Sequence, residues 1–271
     1  MTAIAKRAEL SDRVKLFYVE QGDAAGVPVL FIHGYTDSWH SYERVLHLLP
    51  RSVHAFALSQ RGHGDSDRPA DGYHTRDFAE DLATFMDALN IGPAVIVGHS
   101  MGSLIAQRFA IDYPDRVLGV VLVGSFASLK NNNDVQDFWN SAVSKLGDTV
   151  DRDFVIEFQQ GTLARPVPQE FFDTVVQESL KFPARLWKKV LKDLMEEDHT
   201  GELHRIKALT LIIWGDQDTF VRRSDQQILT SAIPNSQLSI YEGTGHSPQW
   251  EEPERFTSEI LAFIERIETT D

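Results

Sequence analysis

The chain has 271 residues, 42% apolar and 24% charged, with a formal net charge of −14 and no cysteine. This fits one ordinary globular domain with room for an insertion, and excludes a disordered or fibrous chain. The acidity argues against nucleic-acid or anionic-membrane partners, and the lack of cysteine excludes disulfides, thiolate metal sites and a cysteine nucleophile. No apolar run approaches the roughly 18 residues of a membrane span. Residues 1–10 lack the apolar core of a signal peptide, so a cytoplasmic protein is expected.

Residues 14–20 alternate apolar and polar, as a half-buried strand does. Residues 27–32 are apolar throughout, which predicts a strand buried on both faces. Helical spacing over 41–49 stops at Pro50, and 53–58 reads as the next strand. A Gly- and Asp-rich loop covers 60–72. Thr75 is the expected N-cap of a helix over 76–89, with Phe78, Leu82, Phe85 and Leu89 on one face. Strands follow at 94–97, 117–123, 208–214 and 237–241. Helices are expected at 104–110, 223–233 and 252–267, the last with Phe256, Ile260, Phe263 and Ile264 on its apolar face. Alternation of helices with continuous apolar strands predicts an α/β fold: a mostly parallel central sheet with helices on both faces. Residues 124–207 break this rhythm. They hold no clear strand but show amphipathic helical patterns at 135–145, 168–180 and 184–195, and are too long for a plain loop. The expected organisation is a core of residues 1–124 and 208–271 with a helical cap, 125–207, inserted between two strands.

The chemistry centres on Gly98-His99-Ser100-Met101-Gly102, between the strand at 94–97 and the helix at 104–110. Gly-x-Ser-x-Gly in a strand–turn–helix is the setting of a nucleophile elbow, with the Ser on a strained turn. Such a nucleophile needs a base. His246, in Gly243-Thr244-Gly245-His246, follows the last strand and so shares the carboxyl edge of the sheet with Ser100. An acid must orient the imidazole. Trp214-Gly215-Asp216-Gln217-Asp218 offers two, and Asp218 is preferred because Asp216 abuts the Gly turn. Oxyanion donors are expected from the backbone N–H groups of Met101 and Tyr35, with His33 bracing the latter's loop. The segment 60–66, with Arg61 and Asp65 able to pair or to cap backbone, reads as scaffold, since it lacks the Lys of a phosphate loop. The scattered histidines show no metal-ligand spacing, so neither metal nor cofactor is expected. Among the cap's many aromatics, Phe126, Trp139 and Phe158 are expected to line a pocket over Ser100, with Val221 nearby.

Taken together, His33-Gly34-Tyr35-Thr36, Arg61-Gly62-His63-Gly64-Asp65-Ser66, the Ser100 elbow, Trp214-Gly215-Asp216-Gln217-Asp218 and Gly243-Thr244-Gly245-His246 resemble the α/β-hydrolase superfamily. In that superfamily the later acid of the Gly-x-x-Asp piece is catalytic, which the resemblance carries to Asp218. Position 100 departs from the Asp nucleophile of epoxide hydrolases and haloalkane dehalogenases. The loop at 33–36 departs from the His-Gly-Gly-Pro-Gly of proline iminopeptidases. Ser59-Gln60 stands where many relatives have Asp before Arg-Gly-x-Gly. The expected activity is serine-dependent hydrolysis of small carboxylic esters, lactones included. The same triad also serves carbon–carbon bond hydrolysis, or attack by hydrogen peroxide in place of water. A ligand receptor on a hydrolase scaffold is the alternative outside enzymes.

Overall fold

In chain order the computed structural model begins with β1 (Ile4–Glu9), β2 (Lys15–Gln21), β3 (Val27–Ile32), α1 (Glu43–Leu46), β4 (Val53–Leu58) and α2 (Thr75–Ala88). There follow β5 (Ala94–His99), α3 (Met101–Asp112), β6 (Val117–Val123), α4 (Asn133–Ser141), α5 (Arg152–Gln160), α6 (Gln169–Leu180) and α7 (Ala184–Glu196). The chain ends with β7 (Leu209–Gly215), α8 (Arg223–Ala232), β8 (Ser236–Tyr241), α9 (Pro248–Glu251) and α10 (Pro253–Glu268). The structure describes residues 3–269, so positions 1–2 and 270–271 of the expected core lie outside the described residues.

The strands form one sheet in the order β1-β2-β4-β3-β5-β6-β7-β8. Only β2 runs against its neighbours, β1 and β4; every other pairing is parallel. The apolar runs explain the layering. Successive side chains of a strand point to opposite faces. Leu30, Ile32, Ile96, Val120 and Leu122 join a core with residues of α2 and α3. Their alternates Val29, Phe31, Val95, Val97, Val121 and Val123 join a second core with α1 and α10. Each such side chain, once buried, contributes roughly 1.5–3 kcal/mol. The chain leaves β3 for β4 on one side and returns to place β5 on the other. The crevice beyond the carboxyl ends of β3 and β5 is therefore the point where the winding reverses, where ligands bind in open α/β sheets.

β6 and β7 are neighbours in the sheet, yet α4 to α7 lie between them in sequence. A bridge between Ser128 and Asp198 and the bond from His199 N–H to Ala127 O (2.9 Å) close the stem of this helical segment. The pattern of α7 is the clearest, with Leu186, Trp187, Val190, Leu191 and Leu194 buried at helical spacing. No helix among the described residues is long and apolar enough to cross a membrane.

Several local expectations change. The helix expected at 41–49 is shorter, with a 3-10 turn at Trp39–Tyr42 before α1. Thr75 is the first helical residue of α2 rather than its cap; His74 holds the cap position, its N–H donating to the Asp77 carboxylate (2.9 Å). Strand β1 and helix α5 have no counterpart among the expected elements.

Arg61 does not pair with Asp65. Its guanidinium grips both carboxylate oxygens of Asp81 on α2 and reaches Asp12 at 3.2 Å, while Asp65 meets Lys181 of the inserted segment at 3.1 Å. Arg61 and Asp81 are 8% and 5% exposed, so the pair is desolvated. Removing one partner strands the other charge in a dry site. Arg61→Ala is therefore expected to cost about 3–5 kcal/mol of stability, read as a lowered urea midpoint. Asp65→Ala, at an exposed pair, should cost no more than about 1 kcal/mol.

Candidate active site

The site begins where β5 gives way to α3. Ser100 has φ 52° and ψ −117°, a sparsely populated conformation for a residue with a side chain. The turn tolerates it because the positions two residues to either side, 98 and 102, are glycine. A Cβ on Gly98 would collide with the carbonyl of Gly102, and one on Gly102 with that of Ile32 at the end of β3. Ser100 N–H donates to Val123 O of β6 (2.9 Å), and its carbonyl accepts from Ser103 N–H (2.8 Å) and Ser103 Oγ (2.6 Å). The backbone is pinned while the half-buried side chain faces a cavity. Met101 opens α3, so its N–H has no acceptor within the helix and lies at the positive end of the helix dipole.

His246 sits between β8 and α9 and is buried. Its Nδ1 lies 2.8 Å from Asp218 Oδ2. The Asp218 side chain is fully buried, and its Oδ1 accepts from the N–H groups of Phe220 (2.8 Å) and Val221 (2.9 Å). Both carboxylate oxygens are thus engaged in an orientation fixed by backbone. A carboxylate facing Nδ1 holds the proton there and leaves Nε2 as the acceptor. Asp216 does different work: its Oδ1 accepts from Gly243 N–H (2.7 Å), tying the β7 loop to the loop that carries His246.

The loop after β3 completes this edge. His33 is fully buried; its Nδ1 donates to Gly34 O (2.8 Å) and its Nε2 accepts from Gln60 N–H (3.0 Å). Burial drives its pKa down to about 4, so the ring is a neutral brace. The Tyr35 side chain is engaged by the helical segment: its hydroxyl donates to Trp187 O of α7, and its ring packs edge-on against Phe158, Phe182 and Trp187.

Ser100, His246, Tyr35 and Met101 line one mainly apolar cavity of about 80 Å³. Phe126, Phe158 and Val221 line it too. Trp139 does not. It follows Phe138 on α4, and one helical step of about 100° carries it off the face through which Phe138 reaches the cavity.

Asp37, His99, Gln159, Phe138 and Phe220 also line the cavity and were not singled out in the sequence. His99 donates from Nε2 to His246 O (2.9 Å), and its buried Nδ1 has no partner. Burial foremost, and then the neighbouring His246, hold His99 well below the usual imidazole range. Asp37 accepts from Gln159 Nε2 of α5 (3.0 Å) and from Ser41 Oγ (3.1 Å). A polar residue inside a strand-end loop was the only signal for it, and many such residues face water.

Burial raises the Asp37 carboxyl from its ordinary 3.8 to about 6, against the opposing hydrogen bonds of Gln159 and Ser41. The folded protein therefore binds more protons than the unfolded chain between those two values. This site's stabilisation is fully present below about pH 4 and is lost as pH rises through about 6, a change of about 3 kcal/mol. Asp37→Asn should remove it. In urea unfolding at pH 4.5 and 7.5, the variant is expected to gain on the native protein at the higher pH. Equal differences at both values would refute the buried, readily protonated carboxyl.

A family model described as the alpha/beta hydrolase fold matches residues 27–253. A non-heme chloroperoxidase of Streptomyces lividans is 28% identical, the alignment covering 94% of this chain and 97% of that protein. Lipase 1 of Psychrobacter immobilis is 24% identical over 97% of this chain and 84% of its own. Among solved structures, an esterase of Rhodococcus sp. ECU1013 superposes with a TM-score of 0.80 at 25% identity, covering 97% of this chain and 99% of that one. With its sheet order and this match, the chain belongs to the α/β-hydrolase fold family and is a hydrolase by kinship.

Proposed function

We propose that this protein is a serine hydrolase of small carboxylic esters, lactones among them, with Ser100 as nucleophile, His246 as base and Asp218 as the orienting acid. The observation that carries the reading is the buried 2.8 Å contact between His246 and Asp218, in a cavity lined by both His246 and a strained Ser100 at a helix N-terminus. His246 Nε2 takes the Ser100 proton as the hydroxyl attacks the ester carbonyl. The oxyanion is held by the N–H groups of Met101 and Tyr35. The alcohol departs with the proton from His246, leaving an acyl group on Ser100. Water, deprotonated by the same imidazole, then releases the acid and restores the enzyme. Residues 125–207 act as a cap that closes the cavity from above. The test is a panel of aryl and alkyl esters and lactones of graded size, run on the native protein and on Ser100→Ala. Turnover that depends on Ser100 supports the reading, and turnover that persists in the variant removes it.

A second reading is favoured by the likeness to a protein named as a non-heme chloroperoxidase. Hydrogen peroxide in place of water at the acyl group on Ser100 would release a peracid and free serine. A peracid oxidises halide, which would link a hydrolase site to that name. Peroxide- and acetate-dependent bromide oxidation, lost in Ser100→Ala, distinguishes this branch from hydrolysis alone.

A further inference from the structure

A second, larger hollow lies in the inserted helical segment, outside the cavity described above. It has a volume of about 520 Å³. One wall comes from α4 and its end, through Val135, Phe138, Ser141 and Ala142. The other comes from α5 and the β7 loop, with Phe154, Glu157, Phe158, Thr219 and Phe220. Val135, Phe138, Phe158 and Phe220 line both spaces. Three of these form the partition: Phe138 stacks on Phe158 at 5.6 Å between ring centroids, and Phe158 meets Phe220 edge-on at 6.1 Å. The hollow is thus separated from Ser100 by a single layer of aromatic side chains.

The partition has a less enclosed side. No residue of α4 is buried, and Phe138, itself half-buried, is the partition ring that this helix carries. Phe220 is held, since its N–H is bound to Asp218. The hollow also has an orientation relative to the chemistry. Of the three rings, Phe220 is the one in contact with the His246 ring, at 5.2 Å. In ester cleavage the group that departs on the His246 side is the alcohol, because the imidazole gives it its proton.

The geometry points to the outer hollow as the subsite for the alcohol portion of the ester, reached past Phe138, with the acyl portion kept in the inner cavity. Its occupant is an uncharged alkyl or aryl alcohol. The walls are mainly apolar and aromatic. Of the two acidic residues at the rim, Asp134 is tied to Arg222 and Glu157 is exposed, which disfavours an anionic group. This inference rests on the serine hydrolase reading above. It adds which end of the substrate the protein selects by length.

Two ester series separate the ends: acetates of straight-chain alcohols of increasing length, and ethyl esters of acids of increasing length. Within the acetate series the acyl enzyme is common, so kcat/KM reports recognition of the alcohol up to its departure. For the native protein kcat/KM is expected to rise with alcohol length by up to about fourfold per methylene buried, and to stop rising early in the acyl series. Ser141→Trp fills the hollow from an exposed position on α4. It should lower the ratio of kcat/KM for the long acetate to that for the short one at least tenfold. Thr219→Trp, from the opposite wall, should do the same and covers the case in which the first variant fails to fold. A ratio unchanged in a folded variant, or length selection confined to the acyl series, overturns the inference while leaving Ser100-dependent hydrolysis intact. Turnover independent of Ser100 overturns the reading beneath it.

Discussion

Ser100→Ala is expected to lower kcat/KM on aryl esters by about 10⁴-fold or more. The size of the effect follows from what else the cavity offers. Ser247 also lines it, but that side chain is fully buried and sits at an ordinary backbone angle (φ −118°). The Tyr35 hydroxyl is spent on Trp187 O. Ser100 alone combines access to the cavity, a backbone that projects its side chain and the positive end of α3. Activity left in the variant would then come from the oxyanion donors and binding, which act without a nucleophile. His246→Ala should cause a similar loss, and the double variant little more than either, because nucleophile and base act as a unit. Circular dichroism and a urea midpoint close to native establish that the alanine leaves the fold in place. A large loss in Ser247→Ala with activity retained in Ser100→Ala would transfer the role to Ser247.

The edge of the sheet that bears these groups was legible because it is written in local chemistry. Strands β3, β5 and β6 are apolar on both faces, which only a covered parallel sheet requires. Each of the loops carrying Tyr35, Ser100, Asp218 and His246 has a glycine where the chain must turn sharply. What stayed illegible depends on partners distant in sequence. β1 reads Ile-Ala-Lys-Arg-Ala-Glu, and only Ala8 is buried; backbone pairing with β2 and the Lys6–Glu20 contact hold it, and neither leaves a pattern in the sequence. Arg61 found Asp81 on a separate helix rather than Asp65 in its own loop, since a bidentate buried partner outweighs a close but exposed one. In the inserted segment nearly every helix has an apolar stripe, and composition does not say which stripe faces the sheet and which its neighbours. Phe138 and Trp139 differ by one position and by one helical step, and only packing separates the residue that lines the cavity from the one that does not.

Asp218→Asn is expected to lower kcat by about 10⁴-fold at neutral pH, with Asp216→Asn costing less than about tenfold. The two acids are two residues apart and both accept backbone N–H groups, but the Asp218 side chain is fully buried and Asp216 is exposed. Their partners differ too. Asp218 Oδ2 faces His246 Nδ1 at 2.8 Å, whereas Asp216 Oδ1 holds Gly243 N–H at 2.7 Å. In Asp218→Asn the side-chain oxygen can keep the bonds from Phe220 and Val221, which turns the amide NH₂ toward Nδ1. A donor there drives the imidazole proton to Nε2, the position that has to accept the Ser100 proton, and no carboxylate remains to stabilise the imidazolium. The fold is preserved and the tautomer is wrong, so the loss falls on kcat with little change in KM or in the urea midpoint. In Asp216→Asn an amide oxygen can still accept from Gly243, and the loop bearing His246 keeps its place. A greater loss in Asp216→Asn than in Asp218→Asn would reverse the assignment of the acid. A loss in Asp218→Asn matched by an equal drop in stability would make Asp218 a scaffold residue instead.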